Sequence, residues 1–318
     1  MPRQDLAAER KEARVGDAVI LEDHAGLLVL EEPRHSARHS ARDRRSRYRA
    51  YVVEPDDTPS CRICAAPMRA LGTLRILGRH EPRVHQCTAC GFVQTDGPWW
   101  LDEAYSDAIT ATDLGLLARC RALSARIPSV LACTSALHGP VLDWGGGYGT
   151  LTRMLRDQGV DCWHSDPYCS NIHARGFDAS LESRERWAAV LAVEVIEHLA
   201  DPMDFFRRAA ARTDLIIATT ETVSIPAPAL DDWWYWAPEH GQHVAFYSRL
   251  ALARIGDAID MRYVRAGRVH AWTRDAGPLQ RLAMGQSPLR RALLALRRRK
   301  SLLGSDYTAA VRRLMPGP

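Results

Sequence analysis

The sequence has no long apolar run and no strong excess of charge of one sign. No stretch approaches the roughly 18 apolar residues of a membrane-spanning helix, and the N-terminus lacks the hydrophobic core of a signal peptide. The 42 basic and 38 acidic residues nearly balance, so composition alone does not indicate a nucleic-acid partner. We therefore expect a cytoplasmic protein without a membrane partner, and 46% hydrophobic residues are enough for a packed core.

Arginine is nevertheless concentrated near both ends of the chain, at residues 34–49 and 290–300. These stretches are where a polyanion would bind. The better explanation is that residues 34–49 are a solvated arm and that residues 290–300 form the polar face of an amphipathic helix. Nucleic acid is therefore a partner that the sequence allows but does not favour.

The pattern along the chain divides it into five segments. Residues 1–58 mix charges with Ser, Pro and Asp around one short apolar run, which predicts a mostly disordered arm with at most one weak strand. Residues 59–98 hold a cysteine-rich module, and 99–137 a helical linker. Residues 138–275 alternate short apolar runs with helical stretches, which is typical of an α/β domain with a parallel sheet. Residues 276–318 form a basic helical tail of unknown role.

Six strands are predicted in the α/β domain, and the last two are close enough for a hairpin. They are residues 140–143, 160–164, 188–193, 215–219, 261–265 and 268–272. A helix over residues 113–127 is predicted to connect the cysteine-rich module to this domain.

Two CxxC pairs separated by 22 residues predict a zinc ribbon. Each pair is a tight knuckle that places two thiolates on one tetrahedral ion. Four thiolates leave no open position for water, so the metal should be structural. The predicted ligands are Cys61, Cys64, Cys87 and Cys90, with His80 or His85 as substitutes for a cysteine.

An apolar strand that ends at Asp143 runs into a glycine-rich turn before a helix predicted over residues 150–158. Glycines let the backbone approach a ligand closely. A dinucleotide fingerprint would need a third glycine where Thr150 or Thr152 stands, which weakens that interpretation. The acidic strand end suits a cofactor with an amino group and a sulfonium. After the next strand, the carboxylate of Asp166 can accept hydrogen bonds from ribose hydroxyls.

Three sequence stretches, VLDWGGGYG, HSDPY and VEVIEHLADP, resemble motifs of the class I S-adenosylmethionine-dependent methyltransferases in order and spacing, over about residues 138–275. The resemblance implies a Rossmann-like methyltransferase sheet with flanking helices. It implies cofactor-binding roles for Asp143, Gly145, Gly147 and Gly149 around the methionine part, Asp166 at the ribose, Phe177 and Asp178 beside the adenine, and Glu194. The usual aspartate at the start of the fourth strand is absent from residues 186–189, and Trp144 and Gly146 make the first motif unusually bulky and glycine-rich.

A zinc ribbon ahead of such a domain resembles the arrangement in sugar C-methyltransferases and many bacterial enzymes. The resemblance implies that the ribbon acts as a lid or docking element rather than in chemistry.

Two later segments carry the candidate catalytic residues. The first holds Glu197 and His198; the second holds His240 and His243, after the aromatic run 233–236. Both follow strands of the same sheet, so both should face the transferred methyl group. His243 or His240 is the predicted base for the acceptor's proton, although either could merely hydrogen-bond the loop. The aromatic run is either a stacking platform or a hydrophobic hinge.

A sharper hypothesis is that Glu194, Glu197, His198 and His243 bind a second, divalent metal that lowers the pKa of an acceptor hydroxyl. The grouping resembles the metal-dependent small-RNA 2′-O-methyltransferases and the ubiquinone-pathway O-methyltransferases. The same run also occurs in methyltransferases without a known metal requirement, where it fixes the loop.

The leading interpretation is a methyltransferase that acts on a hydroxyl or carbon of a small-molecule acceptor, such as a glycan, a nucleotide sugar or a natural-product intermediate. The ribbon, the metal hypothesis and the arginine-rich ends motivate an RNA methyltransferase as the alternative. A non-catalytic scaffold that retains the cofactor fold is a third, against which the intact glycines and acidic residues argue. The oligomeric state is not encoded in any pattern found.

Overall fold

The structure is a computed structural model that describes residues 12–15, 18–22, 28–31, 59–132, 135–274 and 300–315. The first three ranges are strands of an antiparallel meander, where the sequence predicted at most one weak strand: β1 (Glu12–Val15), β2 (Ala18–Glu22) and β3 (Leu28–Glu31). The rest of the predicted arm, the basic stretch 34–49 and most of 290–300 lie outside the described residues.

The larger sheet has six strands in the order β12-β13-β10-β9-β7-β8. Four of them are parallel: β7 (Val141–Trp144), β8 (Cys162–Ser165), β9 (Ala189–Val193) and β10 (Leu215–Thr219). The predicted hairpin, β12 (Arg262–Ala266) and β13 (Val269–Thr273), adds two antiparallel strands at one edge. Each strand lies within two residues of its prediction, and the Rossmann-like sheet is confirmed.

Helices cover both faces of this sheet because successive strand residues point to opposite sides. Leu142 and Val190 face one core, and their neighbours Val141 and Leu191 face the other. The first core is closed by α4 (Pro202–Ala210) and α5 (Arg249–Ala258), the second by α2 (Leu116–Leu131) and α3 (Thr150–Asp157). Helix α2 begins and ends later than predicted and continues past Pro128.

A smaller, four-stranded sheet contains the ribbon but is completed from the larger domain. Its order is β11-β6-β5-β4, with β4 (Met68–Thr73), β5 (Arg83–Cys87), β6 (Val93–Thr95) and β11 (Ala245–Phe246). In the pairing of β11 with β6, Ala245 lies opposite Gln94 and Phe246 opposite Val93. The ribbon is therefore joined by backbone hydrogen bonds to a segment some 150 residues later in the chain.

Two further helices complete the described structure, α1 (Leu101–Ala104) and α6 (Leu303–Leu314). Helix α6 docks on α3, because the buried Asp306 carboxylate receives two hydrogen bonds of 2.8 Å from Arg156 and one of 2.9 Å from Arg153. Among the described residues, no helix combines the length and apolar character needed to cross a membrane.

Candidate functional site

The turn after β7 uses its glycines in a conformation that other residues rarely adopt. Gly145, Gly147 and Gly149 have φ values of 74°, 55° and 79°. A Cβ at Gly145 would lie 2.5 Å from Cγ2 of Val195. The backbone of this turn therefore packs so closely against neighbouring residues that Gly145 has no room for a side chain.

Asp166, at the end of β8, is fixed beside this turn. Its carboxylate accepts hydrogen bonds from the backbone N–H of Gly147 (2.9 Å), Tyr168 (2.8 Å) and Cys169 (2.7 Å). An ionised carboxylate has about four acceptor positions, so capacity remains for a hydroxyl of a ligand. The geometry is compatible with the predicted ribose contact.

Asp143 lies behind the turn rather than on its open side. Its side chain is buried and accepts a 2.8 Å hydrogen bond from Thr152 Oγ1, and burial raises the pKa of this carboxyl to about 6. A Cβ at Gly146 would approach its Oδ2 to 3.0 Å, so the carboxylate packs directly under the glycines. In this position Asp143 shapes the turn, and its contact with the methionine part of a cofactor stays a prediction.

His164 is a buried link in this region that sequence reasoning missed. Its Nε2 lies 2.8 Å from the Gly147 carbonyl and its Nδ1 3.3 Å from a carboxylate oxygen of Asp178. The ring therefore ties the glycine turn to the loop predicted to flank adenine. As an inward residue of a short strand, it has no sequence pattern that distinguishes it from an ordinary core position.

Phe177, the other residue predicted beside the adenine, is largely covered. The Arg156 guanidinium lies 3.5 Å from its ring centroid and that of Arg313 lies 5.5 Å away. Its ring thus packs between α3 and α6, whereas the Asp178 side chain is 58% exposed. Adenine contact by either residue stays a prediction, with Asp178 the more accessible of the two.

Three of the predicted catalytic residues come together: Glu197 and His198 from the turn after β9, and His243 from the segment before β11. Glu197, His198 and His243 place potential metal-ligand atoms within 4.8 Å of one another. Glu197 is fully buried; its Oε1 accepts the Tyr235 hydroxyl, and its Oε2 has no hydrogen-bond partner among the described residues. Burial raises the pKa of Glu197 to about 8. Near neutrality this carboxyl is therefore mainly protonated when no cation is bound.

The histidines of this cluster are held in defined orientations. His243 donates from Nδ1 to the Tyr235 carbonyl at 2.8 Å, which leaves Nε2 as the acceptor. The Nδ1 of His198 lies 2.8 Å from the Tyr105 hydroxyl. Burial lowers the pKa of His198 and that of His243, the latter to about 3. Both rings are consequently neutral at physiological pH.

His240 and Glu194 do not belong to the cluster formed by Glu197, His198 and His243. His240 packs on His243 with ring centroids 4.8 Å apart, and its Nδ1 accepts the Gln242 N–H at 3.1 Å. Glu194, at φ 51°, turns away and lies 3.5 Å from the guanidinium of Arg268. Glu194 is not among the residues whose ligand atoms lie within 4.8 Å of one another, so its part in the predicted metal tetrad stays a prediction.

The aromatic run 233–236 is mostly core. Tyr235 and Trp236 are buried, whereas Trp234 is 70% exposed. Both predicted roles, a stacking platform and a hydrophobic hinge, stay predictions. Only Trp234 offers an open ring surface.

The four ribbon cysteines come together as predicted. Their sulfurs lie within 4.8 Å of one another, with Cys61 and Cys90 3.6 Å apart and Cys64 and Cys87 3.5 Å apart. Zinc–sulfur bonds of about 2.3 Å in a tetrahedron place sulfurs about 3.8 Å apart, so the donor set fits this ion.

Neither histidine considered as a substitute ligand is available to this cluster. His80 pairs with Glu103 at 3.0 Å, and His85 pairs with Asp96 at 3.1 Å.

The ribbon and linker also hold the segment that carries His240 and His243. Besides the β6–β11 pairing, Trp100 Nε1 donates to the Gly241 carbonyl at 2.7 Å, and Gln242 Nε2 donates to the Ala104 carbonyl at 2.9 Å. These long-range contacts could not be found from local sequence patterns.

Comparison with known proteins shows several matches. A family model described as a methyltransferase domain matches residues 117–266. The chain is 32% identical over 140 residues to the ubiquinone biosynthesis O-methyltransferase of Bradyrhizobium diazoefficiens. This alignment covers 38% of this chain and 54% of that protein. The protein of the same name from Rhodopseudomonas palustris is 28% identical over 178 residues, covering 51% of this chain and 61% of that protein. The chain thus spans between half and two thirds of these relatives.

Among solved structures, magnesium protoporphyrin IX methyltransferase from Synechocystis PCC 6803 with bound S-adenosylhomocysteine aligns with a TM-score of 0.40 and 14% identity, covering 55% of this chain and 93% of that chain.

Proposed function

We propose that this chain, which matches a methyltransferase-domain model over residues 117–266, transfers a methyl group from S-adenosylmethionine to a hydroxyl oxygen of a small-molecule acceptor. One observation carries the proposal: the glycine turn after β7 and the Glu197–His198–His243 cluster after β9 lie at the same edge of adjacent, parallel strands. Paired strands are about 4.8 Å apart, so a cofactor beyond the end of β7 and an acceptor beyond the end of β9 would lie next to each other. The names of the relatives support oxygen as the acceptor atom.

The residues around the turn fit an adenosyl cofactor. Asp166 has acceptor capacity left for a ribose hydroxyl, and the left-handed glycines let a ligand approach the backbone. The cofactor would supply a methyl group already activated by its sulfonium. The protein's contribution is then to align the acceptor oxygen with that methyl group and to receive its proton.

His243 is the proposed proton acceptor, through Nε2. Its low pKa, about 3, keeps Nε2 free of a proton near neutrality but also makes the ring a weak base. Such a base suits an acceptor hydroxyl that is acidified by another group. This requirement motivates a cation in the same cluster.

We accordingly propose that a divalent cation binds Glu197 and His198 beside His243, without Glu194, so that His243 Nε2 stays free to receive the proton. The buried Glu197 Oε2 lacks a partner among the described residues, and His198 is neutral, as a metal ligand must be. A bound cation would ionise Glu197 and lower the pKa of the acceptor hydroxyl. At the ribbon, Zn²⁺ held by the four cysteines would have a structural role.

Incubation with methyl-labelled S-adenosylmethionine and a panel of phenolic, catechol and sugar hydroxyls, together with RNA, tests the proposal. We expect label on a small-molecule oxygen and a loss of about 10²-fold or more in His243→Gln, with S-adenosylhomocysteine binding retained. The exposed His138→Gln serves as the matched control. Label on RNA alone would support the RNA methyltransferase instead, and cofactor binding without transfer to any acceptor would support a scaffold.

A further inference from the structure

A tyrosine from the linker lies between the cofactor turn and the histidine cluster. The Tyr105 hydroxyl is 2.8 Å from Nδ1 of His198, and its ring stacks on Tyr168 with centroids 4.2 Å apart and planes 14° from parallel. Tyr105 precedes the segment that matches the methyltransferase family model. It therefore brings a residue of the N-terminal part of the chain into the proposed site.

The backbone that presents Tyr105 is firmly anchored. Trp100 and Leu101, at the start of α1, are buried, and the Trp100 indole donates to Gly241 at 2.7 Å. At the other end of the helix, the Gln242 side chain donates to the carbonyls of Ala104 (2.9 Å) and Asp107 (3.1 Å). The position of Tyr105 is thus set by the same loop that carries His243.

Its stacking partner belongs to the cofactor side. The Tyr168 N–H donates to the Asp166 carboxylate at 2.8 Å, so this residue is part of the turn proposed to bind the ribose. The Tyr168 side chain is 41% exposed, and its ring face is covered by Tyr105. One aromatic pair therefore spans from Asp166, the proposed ribose carboxylate, to His198 in the proposed acceptor site.

We propose that Tyr105 is a positioning residue with two separable effects: its hydroxyl orients His198 towards the acceptor, and its ring, stacked on Tyr168, stabilises the ribose-binding turn. The inference rests on the proposed function. A hydrogen bond at Nδ1 fixes the imidazole plane whichever atom carries the hydrogen, and it leaves Nε2 for an acceptor or a cation. The stack favours the arrangement in which Asp166 and its backbone donors are ordered before the cofactor binds.

Two substitutions separate these effects. Tyr105→Phe keeps the ring and removes the hydroxyl, so we expect kcat to fall about tenfold, the pH profile of kcat to shift, and the Kd of S-adenosylhomocysteine to stay unchanged. Tyr168→Leu removes the stack at an exposed position, so we expect that Kd to rise about fivefold while kcat at saturating cofactor is retained. Calorimetric titration and initial rates measure both.

The chain offers a matched control for the hydroxyl. The Tyr263 hydroxyl makes the same kind of contact with a histidine, 2.7 Å from His270 Nδ1, in the β12–β13 hairpin. Tyr263→Phe should change neither kcat nor the Kd. If Tyr105→Phe behaves like Tyr263→Phe in kcat and pH profile, or if Tyr168→Leu leaves the Kd unchanged, the proposal is wrong.

A measurement that needs no acceptor distinguishes failure of this inference from failure of the proposed function. The ¹⁵N resonances of the His198 ring report hydrogen bonding at Nδ1, and Tyr105→Phe should shift them in the folded protein. If the wild type binds S-adenosylhomocysteine but transfers no methyl group, the proposed transferase function fails. The Tyr105 inference is then still tested by the shift of the His198 signals and by the Kd of Tyr168→Leu. Unchanged His198 signals in Tyr105→Phe would overturn it.

Discussion

Replacing Glu197 by Gln should make the stability of the metal-free protein less dependent on pH. Glu197 is fully buried, accepts one hydrogen bond from Tyr235, and its pKa is raised by burial from an ordinary value of 4.5 to about 8. Because the folded-state pKa lies above the unfolded one, the folded protein binds more protons between these values. The stability associated with the neutral carboxyl is therefore complete below about pH 4.5, is lost as the pH rises from there to about 8, and falls no further above that.

The structure sets the size of this effect. At about 1.4 kcal/mol per pH unit, the rise from 4.5 to about 8 corresponds to a loss on the order of 5 kcal/mol in the free energy of unfolding by about pH 9. Gln is uncharged, has nearly the same shape, and can still accept from Tyr235. The variant should match the wild type near pH 5 and exceed its stability by several kcal/mol near pH 9.

Urea unfolding between about pH 5 and pH 9 tests this prediction, after weakly bound divalent ions are removed and equal zinc contents are verified. The variant of an exposed glutamate, Glu185→Gln, should follow the wild-type curve. Added divalent cation should then stabilise the wild type at neutral pH but not Glu197→Gln, because binding needs the carboxylate. Parallel stability curves for wild type and Glu197→Gln at every pH would refute the reasoning.

Three further predictions follow from single contacts. Asp306→Asn removes one of the two carboxylates that the buried Arg156 guanidinium contacts, and Asp161 at 3.0 Å remains, so the free energy of unfolding in urea should fall by about 2–3 kcal/mol; a loss below about 1 would contradict the docking of α6. Cys64→Ser should reduce bound zinc measured by mass spectrometry and lower methyl transfer far more than S-adenosylhomocysteine affinity, because the ribbon pairs with the His243 segment; equal losses would argue against this. Gly147→Ala, at φ 55°, should weaken S-adenosylhomocysteine binding about tenfold in calorimetry, and unchanged affinity would exclude a cofactor at this turn.

The features that could be predicted from the sequence are those written in local patterns. The apolar runs placed the four parallel strands of the larger sheet, because buried parallel strands need little more than a short apolar stretch between turn signals. The CxxC pairs predicted a cysteine cluster because each pair is a local turn. The glycines at 145, 147 and 149 were identifiable because strand and helix patterns flank them.

The features that could not be predicted depend on contacts between distant residues or on one backbone angle. The β6–β11 pairing joins segments too far apart in the chain for any periodicity to reveal. Glu194 shares helical spacing with Glu197 and His198, but the chain there forms a short turn entered through a left-handed residue, so the expected common face does not exist. The contact of Tyr105 with His198 needed the fold of the linker.

The most direct test of the central claim is a crystal structure of the protein grown with S-adenosylhomocysteine. The adenosyl group should lie at the carboxyl edge of the larger sheet, with a ribose hydroxyl within hydrogen-bond distance of Asp166 and the sulfur directed towards the Glu197–His198–His243 cluster. Density for the ligand at any other place, or an edge that stays empty at saturating concentration, would contradict the assignment of this edge as the methyl-donor site.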